Sequence, residues 1–361
     1  MTHKIIVHFG MHKTGSSSIQ ESLYRNLKDP QFHYVYLGMP NAGEPIATAF
    51  KNVPEDYRAN KRRGLDKVEV LRIKEKVRKL LDAQLKAAGN KTIIISGEEI
   101  SKLEEDEFGA LHQYLSGIHP SVLAVGYIRP PQAFMESAFQ QRIKLGASKF
   151  NVANLYPNYR KRFEKFINVL GKENVRFWRF EPSAFPSGCV VQDFCSRLGI
   201  QFGQRDVLRI NEGLSLQAVA LLYTHAKFGP DYGAGARVMR QNKKLVRRVA
   251  RLKGPKLRFH SSLVRPVIES RQEDIRWMEA QIGDSLSEAY RDDEHAIRSE
   301  NDLLTYSPNA LRWLDEQLGV KSRGEHHGGA SAQVVADSMH RLRDKLKWSL
   351  ELERVFKRWR S

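Results

Sequence analysis

The sequence predicts an α/β fold in which a parallel sheet is flanked by helices and the C-terminal half is mostly helical. Strand-like apolar segments alternate with segments whose apolar residues recur every three or four positions. Residues 122–128 form a continuous, largely apolar run, which is typical of a strand covered on both faces. A stretch rich in glycine and serine separates the first strand from the first helix. Strands that alternate with helices pair in parallel, and such sheets bind ligands beyond the carboxyl ends of their strands.

The first strand is predicted at residues 4–9, and Ile19, Leu23 and Leu27 then recur on one face of a helix. A long helix is predicted over residues 66–88, because an apolar stripe runs through it and Gly89-Asn90 is a typical C-terminal cap. The isoleucine-rich segment 92–96 is the second predicted strand.

A short helix marked by Phe108 leads to the strand at 122–128, which Arg129-Pro130-Pro131 ends abruptly. Helices are predicted around 132–145 and 156–170, then a fourth strand at 175–180 and a helix at 190–198. Functional side chains should therefore cluster directly after Phe9, Ser96 and Ile128, where parallel strands end at one edge of the sheet.

The chain is predicted to form one main domain over residues 1–320 and an appendage over 321–361. Residues 1–200 are the expected α/β core, and 201–320 the mainly helical part, with helices predicted at 214–228, in the basic segment and at 266–282. The glycine-rich stretch 323–331 is typical of a flexible linker. A basic amphipathic helix is predicted after it.

Composition limits the classes of function. The 361 residues carry a formal charge of +18, and ten Lys or Arg without any Asp or Glu lie between residues 237 and 258. This concentration predicts an anionic partner at one patch. Three interpretations of the patch compete: a site for an anionic glycan acceptor or the cosubstrate, an anionic membrane surface, or a solvated face with no partner. We do not expect nucleic acid as a partner.

Cellular location and thiol chemistry are also constrained by the sequence. We see no apolar run of the roughly 18 to 20 residues needed to span a bilayer, and no signal-peptide core at the N-terminus. We therefore expect a cytoplasmic protein, with the inner membrane face as a second, peripheral location. Cys189 and Cys195, the two cysteines of the chain, are expected to be free buried thiols.

The strongest motif is the loop of residues 10–18 between the first strand and the first helix. Small residues let such a loop wrap closely around an oxyanion, and the backbone N–H groups of the helix start point toward it. The spacing of Gly10 and Gly15 resembles the P-loop G-x-x-x-x-G-K-[ST], but Ser16 stands where that loop has lysine, and Lys13 comes three residues earlier. We predict a P-loop-like anion site formed by Gly10, His12, Lys13, Thr14, Gly15, Ser16, Ser17 and Ser18.

A second motif follows the strand at 122–128. Arg129 stands at the carboxyl end of that strand, and Ser137 follows eight residues later near the start of the next helix. A planar guanidinium and a hydroxyl so placed can converge on one phosphate group.

Together, the two motifs resemble the sulfotransferases that use 3′-phosphoadenosine 5′-phosphosulfate (PAPS), most closely the bacterial and carbohydrate-type members. The resemblance covers residues 4–145, and more weakly 175–215. It implies that the loop binds the 5′-phosphosulfate and that Arg129 and Ser137 bind the 3′-phosphate. Ser16-Ser17 replaces the family's frequent Thr-Thr, and of its Arg-Lys-Gly signature only the fragment Lys253-Gly254 is present.

A third motif, Ser96-Gly97-Glu98-Glu99, follows the second predicted strand. Sulfuryl transfer to an alcohol requires removal of the hydroxyl proton, and glutamate, ionised at neutral pH, can accept it. The family resemblance favours Glu98 as general base over Glu99, although both could instead flank the next helix. Lys13 is the expected donor to the leaving group, 3′-phosphoadenosine 5′-phosphate (PAP).

The expected activity is therefore transfer of a sulfuryl group from PAPS to a hydroxyl acceptor, a carbohydrate being favoured, without a metal ion. Two alternatives remain open. A P-loop kinase or ATPase would bind Mg-ATP, but the lysine spacing is wrong and no apolar strand ending in Asp is evident to hold magnesium. A non-catalytic protein that binds nucleotides or anionic membranes would lose no activity on substitution of Glu98.

Overall fold

The computed structural model describes residues 4–11, 14–210, 213–233, 235–320 and 330–358, with side chains to residue 347. The chain folds into two compact units. The first comprises residues 1–134, 157–211 and 271–288, and the second comprises 135–156, 212–270 and 289–361. The predicted division at residues 200 and 320 stays a prediction.

Seven strands form two sheets in the described residues. They are β1 (Ile5–His8), β2 (Phe32–Tyr34), β3 (Thr92–Ser96), β4 (Val122–Ile128), β5 (Val175–Arg179), β6 (Arg258–Phe259) and β7 (Ala296–Ile297). The first five form one sheet in the order β2-β3-β1-β4-β5, and every neighbouring pair is parallel. The predicted parallel sheet flanked by helices is therefore confirmed.

Fourteen α-helices accompany the strands in the described residues. They are α1 (Ser16–Asn26), α2 (Gly43–Phe50), α3 (Arg58–Arg63), α4 (Lys67–Ala88), α5 (Glu105–Ser116), α6 (Pro131–Lys144), α7 (Tyr159–Leu170), α8 (Val190–Leu198), α9 (Leu216–Phe228), α10 (Ala236–Val249), α11 (Ser261–Glu269), α12 (Gln272–Ile282), α13 (Pro308–Leu318) and α14 (Ala332–Arg358). Six of them, α9 to α14, lie beyond residue 211, so the predicted helical C-terminal half is also confirmed.

Several elements differ from the sequence prediction. The edge strand β2, the short strands β6 and β7, and the helices α2, α3 and α13 were not predicted. The single helix expected over 266–282 is wrong, because the chain breaks at Ser270 and Arg271 into α11 and α12. Residues 323–329 of the linker predicted at 323–331 lie outside the described residues.

The core of the first unit packs on both faces of its sheet. One face buries residues such as Ile19, Leu23 and Phe194 from α1 and α8. On the other, the Phe9 ring stacks on Phe166 of α7 with ring centroids 4.3 Å apart. Cys189 and Cys195 are buried and free, as predicted.

The second unit is built around α9, which is buried over most of its length. The helices α10 and α14 pack against it. Leu245 and Val249 of α10 are buried, and this anchoring fixes which side of the basic helix is exposed.

Candidate active site

The loop between β1 and α1 has the backbone that a close turn requires. Gly10 and Gly15 have φ values of 50° and 75°, in the left-handed region that glycine adopts without strain. The backbone N–H and the hydroxyl of Thr14 both donate to the carbonyl of Met11, at 3.3 and 2.7 Å. His12 and Lys13, two predicted site residues, lie outside the described residues.

The three serines at the start of α1 have different surroundings. Ser16 is buried, with its Oγ 3.4 Å from Thr14 Oγ1. Ser17 is partly exposed. The Ser18 hydroxyl accepts from the N–H of Ile210 at 3.0 Å and donates to the carbonyl of the same residue at 3.3 Å. Ser18 therefore attaches the segment before residue 211 to α1.

Glu98 directly follows β3 and lies against the glycine loop. Gly97 N–H donates to the carbonyl of His8 at 2.9 Å, which continues the pairing of β3 with β1 past the end of the strand. A Cβ atom placed on Gly10 would lie 3.0 Å from Glu98 Cγ and 3.0 Å from Ser16 Oγ. The carboxylate side chain and the start of α1 therefore enclose Gly10 from two sides.

Asn41 orients Glu98 and was not identified from the sequence. Its Nδ2 donates to Glu98 Oε2 at 3.2 Å, and its Oδ1 accepts from the N–H of Gly43 at 2.8 Å. Asn41 belongs to the connection between β2 and α2. Because neither element was predicted, no sequence signal pointed to this residue.

Glu99 makes contacts of another kind. Its Oε2 accepts from the Tyr57 hydroxyl at 3.0 Å, and its Oε1 accepts from Lys102 Nζ at 2.6 Å. Burial, and then the charge of Glu99, raise the pKa of Tyr57. Burial lowers the pKa of Arg162, and the Glu99 charge opposes that shift. These contacts are typical of a carboxylate that joins neighbouring segments.

Arg129 follows β4, the other neighbour of β1. Its backbone N–H donates to Met11 Sδ at 3.3 Å, and its carbonyl accepts from the Tyr159 hydroxyl at 2.7 Å. Its guanidinium lies 5.6 Å from the centroid of the Phe180 ring. The residue predicted to hold the 3′-phosphate is thus in backbone contact with the loop predicted to hold the 5′ end.

Ser137 lies in the second turn of α6, in the part of that helix that belongs to the second unit. Its side chain is partly buried.

His8 is the last residue of β1 and is completely buried. Its Nδ1 is 2.7 Å from Ser96 Oγ, which also accepts from Gln20 Nε2 at 3.2 Å. Burial lowers the pKa of His8 to about 4, and the charge of Glu98 opposes the shift. A neutral imidazole therefore supports the end of β3 from which Glu98 projects.

Glu288 is another residue that the sequence did not suggest, and its carboxylate lies at the start of α6. Its Oε2 accepts from the N–H of Ala133 at 3.1 Å. Burial raises the pKa of Glu288, and the backbone N–H groups of Ala133 and Gln132 and the charges of Arg129 and Arg179 oppose that shift. Glu288 is 159 residues from Arg129 in the chain, so no local motif could reveal it.

Neither a metal-binding cluster nor a membrane-spanning helix is present in the described residues. In the described part of the chain, no three His, Cys, Asp or Glu side chains are grouped so that they could hold a metal ion. Among the helices of that part, none combines the length and the apolarity needed to cross a bilayer.

The fold and the site define an α/β protein with a P-loop-like turn at the carboxyl edge of a parallel sheet. No protein-family model matches the chain. No curated protein matches it either. Two solved structures resemble it at low identity. A sulfotransferase from Alicyclobacillus acidocaldarius is 13% identical, with 79% of this chain and 97% of that chain covered and a TM-score of 0.42.

The second is the sulfotransferase domain from the curacin biosynthetic pathway, 11% identical over 89% of this chain and 99% of that chain, with a TM-score of 0.35. Likenesses this weak do not assign a function to this chain.

Proposed function

We propose that the chain transfers a sulfuryl group from PAPS to a hydroxyl group, with a carbohydrate as the favoured acceptor. The observation that carries this proposal is the strand order β3-β1-β4. Because these strands are adjacent and parallel, Glu98, the glycine loop and Arg129 follow three neighbouring strand ends. An anion-binding loop between a carboxylate and a guanidinium suits a nucleotide that carries phosphate at its 5′ and 3′ positions and reacts at the 5′ group.

In this proposal the loop of residues 10–18 holds the 5′ end of the nucleotide. The left-handed glycines let its backbone turn tightly, and the start of α1 adds partial positive charge. Lys13 neutralises the charge that develops on the leaving phosphate. Arg129 and Ser137 bind the 3′-phosphate, which distinguishes this nucleotide from ATP.

Glu98 acts as the general base. PAPS supplies the sulfuryl group: a bond forms between sulfur and the acceptor oxygen as the bond from sulfur to the 5′-phosphate oxygen breaks. The electron pair of the broken bond leaves with PAP, and Glu98 accepts the acceptor proton. Glu98 suits this role better than Glu99, because Asn41 orients it beside Gly10 while Tyr57 and Lys102 bind both oxygens of Glu99. The proposal requires no metal ion.

The test is calorimetric titration of the purified protein with PAP and with ATP, each with and without magnesium. We expect PAP to bind without metal and to bind much more weakly to Lys13→Ala and Arg129→Ala. Lys102→Ala is the matched control, because it removes a lysine that pairs with Glu99. Mg-ATP binding equal to or tighter than PAP binding would favour a kinase or ATPase and overturn the proposal.

A non-catalytic nucleotide-binding protein would also bind PAP, and activity distinguishes it. Incubation with labelled PAPS and an extract of small glycans should yield labelled product, and Glu98→Gln should form it at least about a hundredfold more slowly. Label transfer that is the same with Glu98→Gln would exclude the proposed base.

We further propose that the basic face of α10 binds an anionic acceptor. Arg237, Arg240, Lys243 and Arg247 are exposed and recur at helical spacing on that face, since Leu245 and Val249 fix the opposite face inward. Replacement of Arg240, Lys243 and Arg247 by Gln should abolish salt-sensitive retention on dextran sulfate. Unchanged retention would exclude this face as the site of anion binding. Binding to anionic lipid vesicles instead of dextran sulfate would favour a membrane as the partner.

A further inference from the structure

The carboxylate of Glu288 caps the start of α6, two residues beyond Arg129. The N–H of Ala133 donates to its Oε2 at 3.1 Å, and the backbone of Gln132 is a second donor. Free N–H groups and the helix dipole make a helix start favourable for an anion. In this molecule the anion at that position is part of the chain itself.

Arginine charges act on the same carboxylate. Arg129 and Arg179 both favour the ionised form of Glu288, although burial is the larger effect and raises its pKa. Arg179 also holds the backbone near Glu288, because it donates to the carbonyl of Ser287 at 3.4 Å and lies 3.6 Å from Asp284 Oδ1.

The segment that carries Glu288 is well fixed. Leu286 is buried, and its N–H donates to Glu279 Oε1 at 2.7 Å. Ser285 Oγ donates to the same oxygen at 3.2 Å. Glu288 is therefore presented to the helix start by a fixed segment that directly precedes it.

We propose that Glu288 is an internal competitor of the nucleotide's 3′-phosphate: it shares the Arg129 charge and the start of α6 with that phosphate, and so weakens nucleotide binding. This inference rests on the proposed function. An enzyme that releases PAP after each turnover gains from such a residue, because product release often limits turnover.

The test compares the wild-type chain with Glu288→Gln by calorimetry. Glutamine keeps an oxygen that can accept from the start of α6, but it removes the negative charge. We expect Glu288→Gln to bind PAP about tenfold more tightly, equivalent to about 1.4 kcal/mol. Binding of AMP, which lacks the 3′-phosphate, should stay within about twofold of the wild type.

The matched control is Asp284→Asn, which removes one negative charge from the same segment without touching the start of α6. It should leave PAP binding within about twofold of wild type. Equal or weaker PAP binding by Glu288→Gln would overturn the inference while leaving the proposed function intact. So would an equal gain for AMP or an equal gain in Asp284→Asn, since either indicates general electrostatics. If none of the three proteins binds PAP, the proposed function fails, and this inference with it.

Discussion

Gly97 is the position where a single methyl group should separate the elements that build the site. Its backbone is extended, with φ −165° and ψ 121°, so alanine adopts it without strain. A Cβ atom at Gly97 would, however, lie 2.4 Å from Gly43 N, 2.5 Å from Gly43 Cα and 3.0 Å from the carbonyl carbon of Ala42. These atoms are backbone and cannot rotate away. Gly97→Ala must therefore displace the start of α2 from the end of β3.

The size of the effect follows from these distances. An ordinary contact is roughly 3.5 Å, so the start of α2 must retreat by about 1 Å. The hydrogen bond from Ala42 N–H to the carbonyl of Ser96, now 2.8 Å, lies on the displaced segment. Overpacking of this kind destabilises by about 1–3 kcal/mol, and a weakened backbone hydrogen bond adds about 1 kcal/mol. We expect Gly97→Ala to lower the free energy of unfolding by about 2–4 kcal/mol.

Urea unfolding followed by tryptophan fluorescence measures this change. Gly109→Ala is the matched control, because Gly109 lies inside α5 and a Cβ there meets nothing within 4 Å. It should stabilise the chain by about 0.5–1 kcal/mol, since alanine favours helix. If the stability of Gly97→Ala lies within about 0.5 kcal/mol of wild type, the close approach of α2 to β3 is refuted.

Two further predictions concern the side chains around the loop. If Glu98 is the general base, Glu98→Gln should lower kcat by about 10²–10⁴ and leave PAP binding, measured by calorimetry, almost unchanged. Glu99→Gln should chiefly reduce the stability of the chain. Similar losses of kcat in both variants would contradict the assignment. The pKa of His8 in the folded chain is about 4, below its ordinary value of 6.5. Between these two pH values the unfolded chain therefore binds more protons than the folded chain. The free energy of unfolding should fall as the pH falls through that window. The loss should approach about 3 kcal/mol near pH 4. His8→Gln should lack this loss, and parallel curves of unfolding free energy against pH for the two proteins would contradict the prediction.

The central strands and the loop after β1 were predictable because their signals are local. β1, β3 and β4 are short apolar runs with the composition of buried strands, and the glycine loop stands between two of the predicted elements. β2 is an edge strand of three residues that pairs with β3. Its sequence is too short to show the alternation of apolar and polar residues that predicts a strand. Likewise α2 contains Pro45 and lacks a clear polar face, since nearly all of its residues are buried.

Long-range contacts around the site were not predictable, for a different reason. Asn41 and Glu288 are ordinary loop residues, and only the folded backbone brings them to Glu98 and to the start of α6. Pro266 did not reveal the break between α11 and α12 either, because α11 continues past this proline and ends at Glu269.

The chemistry proposed for Glu98 depends on backbone packing as much as on the carboxylate itself. Gly97 lets the start of α2 approach β3, this approach brings Asn41 to the carboxylate, and Gly10 leaves space for the Glu98 side chain beside the loop. Two of these three positions are glycines, where what matters is the missing side chain. A substitution at Asn41 or Gly97 should therefore disturb the orientation of Glu98 before it disturbs the anion-binding loop, and kcat should respond more than PAP binding. Gly10 is itself part of that loop, so a side chain there should weaken PAP binding as well.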